Sequence, residues 1–258
     1  MRTDISENLT FVMSTRIDSY VRKRNLLYVT RRLSVLGCKI IILEADNTQK
    51  LSTGDLDIPN VEYHFVEDTN PCFFRTHYIN TLLRMATTDV VSVWDADIVT
   101  PFKQIEEAYH YIVDDDYVLS YPYDGKYVML TESESEKLIS GSDISRLESK
   151  KLHSYFGRPF CGGAYFVQRQ CYLSMGGENE HFTGWGPEDV ERQKRIEIMG
   201  HKIGWIKHGT AYHLNHPRGK FSRLHVCKMR EELIKVCSMD KIELMEYVKT
   251  WKHSSKSS

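Results

Sequence analysis

The 258-residue sequence lacks long apolar runs and paired cysteine motifs, and each absence excludes a class of protein. No stretch approaches the roughly 20 consecutive apolar residues of a membrane span, and the opening MRTDISENLT lacks the apolar run of a secretory signal. The six cysteines are scattered without a C-x-x-C pair, which disfavours a disulfide framework and a zinc knuckle. These absences predict a cytoplasmic protein with reduced cysteines.

The chain also has little net charge, formally −1, but the charges are unevenly distributed. Residues 101–149 contain eleven acidic and four basic side chains, whereas residues 217–258 contain ten basic and five acidic ones. A near-neutral chain argues against a general nucleic-acid binder, whose footprint is a basic face. The basic C-terminal arm fits either a solvated helix surface or contact with an anionic ligand. We expect no nucleic-acid partner. Peripheral association with a membrane through this arm is a second expectation.

Short apolar runs alternate with helical stripes along the first hundred residues. The first two runs, residues 9–14 and 39–43, are too continuously apolar for half-solvated strands, which is typical of a buried parallel sheet. The predicted strands are residues 9–14, 39–43, 61–66 and 89–94, and the predicted helices are residues 19–36 and a segment from about Arg75. This alternation predicts an α/β fold with a Rossmann-like, mostly parallel central sheet flanked by helices, whose ligands bind at the carboxyl ends of the strands.

Later segments continue this architecture. We expect helices over residues 101–112 and 187–200, strands over residues 117–121 and 164–168, and a loop or mobile helix in the acidic segment 131–150. The last forty residues predict a C-terminal helical extension of one or two amphipathic helices.

The first chemical motif is the carboxylate pair Asp95-Ala96-Asp97. The D-x-D pattern also occurs at 55–57 and 114–116, but only this copy directly ends a buried apolar strand. At an extended strand end, residues i and i+2 face the same way, and a pair of oxygen ligands suits Mg²⁺ or Mn²⁺. The alternative is a pair of solvated strand-end caps.

Two further motifs lie in the C-terminal half. His213 and His216 form an H-x-x-H run, which supplies either imidazole metal ligands or two surface histidines before a turn. The run TGWGPED at 183–189 places Trp185 between two glycines, ahead of two acidic residues. Proline and acids are typical of any helix start, but a tryptophan on a glycine-flanked loop favours a sugar-stacking platform.

Together these motifs resemble the C-terminal half of the β-1,4-galactosyltransferase family and the bacterial chondroitin-polymerase type of sugar transferase. The resemblance covers about residues 9–219 and is most specific in residues 160–219. It is carried by FCGGA at 160–164, GG at 176–177, FTGWGPED at 182–189 and HLNH at 213–216, with the D-x-D motif before them. It implies the GT-A glycosyltransferase fold. It also implies a single catalytic domain over residues 1–220, with a nucleotide-binding half before about residue 100, an acceptor-binding half after it, and a helical arm over 221–258.

The resemblance further implies a metal site. The last Asp of the family's D-x-D motif ligates Mn²⁺ on the diphosphate of a UDP-sugar, and Asp97 matches it. Asp95 matches a residue near the ribose or a metal-bound water. The second ligand is the final histidine of a Met-x-x-His run, matched by His216, while His213 stands in the place of the methionine. The expected cofactor is Mn²⁺ or Mg²⁺, held by Asp97 and His216, with Asp95 and His213 as further candidates.

The donor nucleotide is expected at the ends of the first strands. By position, Ser14, Thr15 and Arg16 hold the nucleotide, Asp46 reaches the uracil or ribose, and Arg75 lies near the pyrophosphate.

The acceptor, a glycan or glycolipid, is expected at the later motifs. Trp185 stacks on sugar, Gly163 lines the acceptor site, and Glu188 and Asp189 bind the acceptor. Asp189 is the candidate general base. Retaining polypeptide N-acetylgalactosaminyltransferases carry a W-G-G-E-N run in which Asn cannot take a proton, so an Asp favours inversion.

The sequence thus favours a metal-dependent inverting transferase that moves a hexose or N-acetylhexosamine, of the galactose or GalNAc type, from a UDP-sugar to a glycan hydroxyl. One alternative is a sugar- or nucleotide-binding protein without turnover, and another is a retaining transferase. A nucleotidyltransferase is disfavoured because no glycine-rich phosphate loop follows the first strand.

Overall fold

The computed structural model describes residues 5–149, 153–154, 159–184, 186–217 and 226–251. Its strands, in chain order, are β1 Leu9–Thr15, β2 Lys39–Asp46, β3 Val61–Glu67, β4 Val90–Trp94, β5 Ile98–Val99, β6 Leu119–Tyr121, β7 Lys126–Met129, β8 Ala164–Gln168, β9 Ile203–Trp205 and β10 Thr210–His213. Its helices are α1 Ile5–Asn8, α2 Tyr20–Ser34, α3 Arg75–Met85, α4 Phe102–Val113, α5 Glu132–Ile139, α6 Ser145–Glu148, α7 Arg169–Ser174, α8 Glu188–Ile198, α9 Val226–Cys237 and α10 Lys241–Lys249.

Seven strands form the central sheet in the order β3-β2-β1-β4-β8-β6-β9. All neighbouring pairs are parallel except those of β8, which runs antiparallel to both β4 and β6. Every residue of β4 is buried, and so are six of the seven in β1. The predicted α/β fold with a buried, mostly parallel sheet is confirmed.

Helix α2 makes the first crossover of this sheet. It begins after Ser19, whose side chain accepts a hydrogen bond from the Arg22 amide, as an N-cap does. Leu26, Val29 and Leu33 form its buried face, and burial of each such side chain stabilises the fold by about 1.5–3 kcal/mol. Since β1 and β2 are parallel, their carboxyl ends meet at the same edge of the sheet.

A second, three-stranded sheet has the order β5-β10-β7. Strand β10 pairs antiparallel with β5, with His213 opposite Ile98, and parallel with β7, with His213 opposite Met129. The sequence did not predict these strands, because β5 has two residues and β7 and β10 have four each, too few for a periodic pattern. This small sheet joins the segment after β4 to residues 210–213.

Helix α8 is fixed to the core by two buried arginines. Arg192 donates to Glu178 from Nε at 2.8 Å and from Nη2 at 3.0 Å, and both side chains are about 1% exposed. Arg195 pairs with Glu191 at 2.9 Å and donates to the Gly177 carbonyl at 2.6 Å. Because buried charges must be paired and fully hydrogen-bonded, these contacts fix the position and the N-terminus of α8.

The C-terminal arm forms two helices within the residues that the structure describes, and both contact α8. None of the described helices is long and apolar enough to cross a membrane. Nothing in the described part of the arm supports the expected membrane association.

The acidic segment forms α5, capped by reciprocal hydrogen bonds between Thr131 and Glu134, and the short helix α6.

Candidate active site

A tight turn follows β4 and carries the D-x-D motif. The Ile98 amide donates to the Asp95 carbonyl at 3.2 Å, and the Trp94 indole donates to the Ile98 carbonyl at 2.8 Å. Asp95 and Asp97 therefore lie on a turn, and the expected extended backbone at this strand end is wrong. Their carboxylates have different partners: Arg75 contacts Asp95, whereas two histidines contact Asp97.

Asp97, His213 and His216 form a compact group whose ligand atoms lie within 4.8 Å of one another. Asp97 Oδ2 lies 2.9 Å from His216 Nε2, and Oδ1 lies 3.5 Å from His213 Nε2. The backbone fixes this proximity, because the Leu214 amide donates to the Asp97 carbonyl at 2.8 Å. The two motifs are more than a hundred residues apart in sequence, and the small sheet brings them together.

Electrostatics keep Asp97 ionised. Its burial opposes ionisation, but the neighbouring His213 and the hydrogen bond from His216 hold the pKa of Asp97 well below its usual range. Burial lowers the pKa of His213. Burial also acts to lower the pKa of His216, but the hydrogen bond and charge of Asp97 outweigh it and raise that pKa. The group thus combines a buried carboxylate with two imidazoles.

These residues fit a divalent cation. His216 Nδ1 lies 2.7 Å from the Pro217 carbonyl, and this contact fixes the ring so that Nε2 faces Asp97. His213 Nδ1 is buried and has no hydrogen-bond partner among the described residues. One carboxylate oxygen and two imidazole nitrogens suit Mn²⁺, with the proton between Asp97 and His216 giving way to the ion.

Arg75 links this turn to α8. Its Nη2 and Nε lie 2.5 Å and 3.2 Å from Asp95 Oδ1, and its Nη1 lies 4.0 Å from Glu188 Oε1. The guanidinium is buried, which acts to lower its pKa, but the charge of Asp95 outweighs burial and raises it. Asp95 is therefore joined to Arg75 and does not belong to the Asp97 group.

Glu188 and Asp189 occupy the first turn of α8. Glu188 Oε2 accepts a hydrogen bond from the Gly186 amide at 3.1 Å. Burial and the adjacent Asp189 charge raise the pKa of Glu188 to about 8. A Cβ at Gly162 would lie 3.0 Å from Asp189 Oδ2 and 2.9 Å from the Phe160 ring, so glycine makes room for the Asp189 carboxylate.

Gly163 joins the D-x-D turn to the start of β8 through a backbone hydrogen bond. Its carbonyl accepts a hydrogen bond from the Asp95 amide at 2.7 Å. Its φ of +79° favours glycine, and a Cβ there would lie 2.9 Å from Ile98 Cγ1. The glycine pair thus brings the start of β8 against both the D-x-D turn and α8. Trp185, the predicted sugar-stacking residue, lies outside the described residues.

The predicted nucleotide residues lie together at the ends of β1 and β2. Arg16 donates to the Ala45 carbonyl at 3.0 Å and to Asp68 Oδ2 at 2.7 Å, and Asp46 Oδ2 accepts from the Ile17 amide at 3.1 Å. Arg16 and Asp46 thus brace the loops at this edge. Ser14 and Thr15 complete β1, with Thr15 buried. Their roles toward a nucleotide stay predictions.

Sequence reasoning missed two groups that shape the site. Tyr123 donates from its hydroxyl to the Gly162 carbonyl at 2.6 Å and so holds the glycine pair. Arg192 holds α8 through Glu178. An arginine in the middle of a polar helix carries no local signal of burial, so only the fold reveals its role.

The chain resembles known proteins both in sequence and in structure. A family model described as the N-terminal domain of galactosyltransferase matches residues 144–217. The sequence matches no curated protein.

Two solved structures are similar to this one. GalNAc-T7, crystallised with UDP, GalNAc and Mn²⁺, aligns with a TM-score of 0.59 and 13% identity over 97% of this chain and 52% of its own. A mutant of Drosophila β-1,4-galactosyltransferase 7, in complex with manganese, UDP-Gal and xylobiose, aligns with a TM-score of 0.52 and 17% identity over 96% of this chain and 82% of its own. The chain thus spans about half the length of GalNAc-T7.

The fold is therefore that of the GT-A glycosyltransferases, as the sequence predicted. The family match to residues 144–217 agrees with this fold.

Proposed function

We propose that this protein is a metal-dependent, inverting glycosyltransferase that moves a hexose or N-acetylhexosamine from a UDP-sugar to a hydroxyl of a glycan or glycolipid. The observation that supports it best is the juxtaposition of two charged groups on one sheet edge. The cation-binding group Asp97, His213 and His216 adjoins the turn that Arg75 connects to Glu188.

The donor side of this proposal uses the Asp97 group. Asp97, His213 and His216 would hold Mn²⁺, which supplies positive charge for the departing diphosphate. The Mn²⁺ and UDP bound by the two similar proteins make a UDP-sugar the preferred donor, and the family match favours galactose or GalNAc.

The acceptor side uses the two carboxyl groups differently. Asp189, as a carboxylate, takes the proton from the attacking hydroxyl. The raised pKa of Glu188 favours its protonated form, which would donate a hydrogen bond to an acceptor hydroxyl. A carboxylate base facing the donor favours direct displacement, and therefore inversion at the anomeric carbon.

The test is a screen of UDP-glucose, UDP-galactose and their N-acetyl forms with Mn²⁺ against a panel of glycosides that includes xylobiose. Product configuration is read by NMR. We expect Asp189→Asn to lower kcat by about 10²–10⁴-fold while UDP and Mn²⁺ still raise Tm. Asp115→Asn, at an exposed position, is the matched control.

Full transfer by Asp189→Asn would refute the role of Asp189, and a product of retained configuration would refute inversion. Binding of UDP-sugars without transfer or hydrolysis, across the whole panel, would favour a binding protein on this fold.

A further inference from the structure

Residues 179–182, which precede the Trp185 loop, form a turn with Asn179 and Phe182 buried and His181 exposed. Asn179 is 1% exposed; its carbonyl accepts from the Phe182 amide at 3.1 Å, and its Oδ1 accepts from the His181 amide at 3.0 Å. The turn lies directly before the glycine-flanked loop. What holds this turn therefore sets where the loop starts.

Helix α3 holds one side of the turn. Thr76 donates from its hydroxyl to the Phe182 carbonyl at 2.9 Å, and Asn80 Nδ2 donates to the Glu178 carbonyl at 2.8 Å. Arg75, the first residue of the same helix, contacts Asp95 and Glu188. This side of the turn thus belongs to the site already described.

Helix α9 holds the other side through Glu232. Its Oε1 accepts from Asn179 Nδ2 at 2.8 Å and from the Tyr247 hydroxyl at 2.8 Å, and it lies 3.4 Å from His181 Nδ1. The Glu232 side chain is 12% exposed. Burial opposes its ionisation, but the hydrogen bonds from His181, Asn179 and Tyr247 lower the pKa of Glu232 to about 2. A single ionised carboxylate therefore joins α9, α10 and the turn.

Met229, one turn earlier in α9, covers the far end of the loop. It is 1% exposed, and a Cβ placed on Gly186 would lie 2.5 Å from its sulfur. Gly186 follows Trp185 directly in sequence and donates its amide to Glu188. Helix α9 thus contacts the chain on both sides of Trp185, at residues 179–181 and at residue 186.

From these contacts we infer that α9 is a positioning element for acceptor binding, with Glu232 and Met229 as its positioning residues. They fix both ends of the loop that carries Trp185 and so set the geometry of the acceptor site without touching the reacting atoms. The inference rests on the proposed function, since it assigns the loop to the acceptor.

The experiment compares Glu232→Gln and Met229→Ala with Glu246→Gln, which removes an exposed carboxylate on α10. Hydrogen exchange of the free protein is measured for residues 179–186. We expect about tenfold lower protection at His181 and Phe182 in Glu232→Gln, because the ionised partner of their turn is lost, and at Gly186 in Met229→Ala, because its packing is lost. Glu246→Gln should exchange like the wild type.

Kinetics form the second arm. With the UDP-sugar and glycoside that the screen identifies as active, we expect KM for the glycoside to rise about tenfold in both α9 variants, with the stabilisation by UDP and Mn²⁺ unchanged. If Glu232→Gln does not fold, Met229→Ala decides alone.

Unchanged exchange in the α9 variants overturns the inference, and so does lost protection with an unchanged glycoside KM. Absence of transfer by the wild type refutes the proposed function instead. The exchange result then still shows whether α9 holds the loop.

Discussion

The two charged groups of the site place carboxyl side chains in opposite electrostatic settings. Asp97 faces two imidazoles, which hold its pKa low against the effect of burial. Glu188 is also buried, but its nearest charge in sequence is Asp189, and its pKa rises to about 8. One group is arranged to bind a cation and the other to hold a proton. Burial alone does not decide the charge state of a carboxyl group, because neighbouring charges can outweigh its effect, as at Asp97, or add to it, as Asp189 does at Glu188.

Arg75 couples the two groups electrostatically. It contacts Asp95 beside the first group and lies 4.0 Å from Glu188 in the second. Its positive charge opposes the rise in the pKa of Glu188. A change on the donor side that moves Arg75 away from Glu188 would therefore raise the pKa of Glu188 further.

The largest expected effect tests the cation-binding group. Asp97→Asn should lower kcat/KM for transfer by about 10³-fold or more, because the only carboxylate of this group is lost. Mn²⁺ should no longer raise Tm in the presence of UDP. Asp57→Asn, in the exposed D-x-D copy, is the control and should behave as the wild type does. A normal Mn²⁺ response in Asp97→Asn would place the metal elsewhere.

The next largest effect tests the buried ion pair that holds α8, the helix that carries Glu188 and Asp189. Arg192→Met removes one partner of a buried ion pair and should lower the free energy of unfolding by about 3–5 kcal/mol, because Glu178 is left buried and unpaired. Urea unfolding measures this loss. Lys194→Met, which breaks an exposed pair on the same helix, should cost less than about 1 kcal/mol. Equal losses in both variants would contradict the anchoring of α8.

A smaller effect tests the protonation of Glu188. Its folded-state pKa lies above the unfolded value, so the folded protein binds the extra proton between about pH 4.5 and 8, and stability falls as pH rises through this window. Glu188→Gln should therefore stabilise the protein at pH 9, by on the order of 2 kcal/mol, and have little effect at pH 4. Tm measured against pH checks this. A gain that is constant with pH would show that Glu188 does not titrate in this window.

The smallest effect tests the hydrogen bond by which α5 holds the segment between His213 and His216. Ser135 is buried in α5, and its hydroxyl accepts a hydrogen bond from the Asn215 amide at 2.8 Å, between the two histidines. Ser135→Ala should cost about 1 kcal/mol of stability and weaken Mn²⁺ binding slightly, since the amide loses its partner. The comparison is Ser133→Ala on the exposed face of the same helix. An unchanged Mn²⁺ affinity would show that the histidines need no support from α5.

Sequence periodicity predicted the N-terminal elements well, because most of their buried positions are apolar. Helix α2 begins after Ser19 and ends before Gly37, where the pattern placed it. The same reasoning failed for the small sheet, since β5 has only two residues. That sheet is what brings His213 beside Asp97, so the contact between the two motifs could be expected only from resemblance.

The sequence also did not predict the turn that carries the two carboxylates of the D-x-D motif. Asp95 and Asp97 lie on a turn that Ile98 closes, and no composition signal distinguishes such a turn from an extended end. The raised pKa of Glu188 depends first on its burial, and Arg75, which lies more than a hundred residues away in sequence, opposes the rise. Roles that depend on such long-range contacts need the fold before they can be assigned.

The antiparallel insertion of β8 between β4 and β6 has a consequence for biosynthesis. Until residues 164–168 leave the ribosome, the hydrogen-bonding edge of β4 has no neighbour on that side, and an open edge invites pairing with other chains. Nascent chains that pause before this point should therefore depend most on chaperones. The candidate metal ligands come together later still, so a growing chain could bind a divalent cation at this group only after residue 216 has left the ribosome.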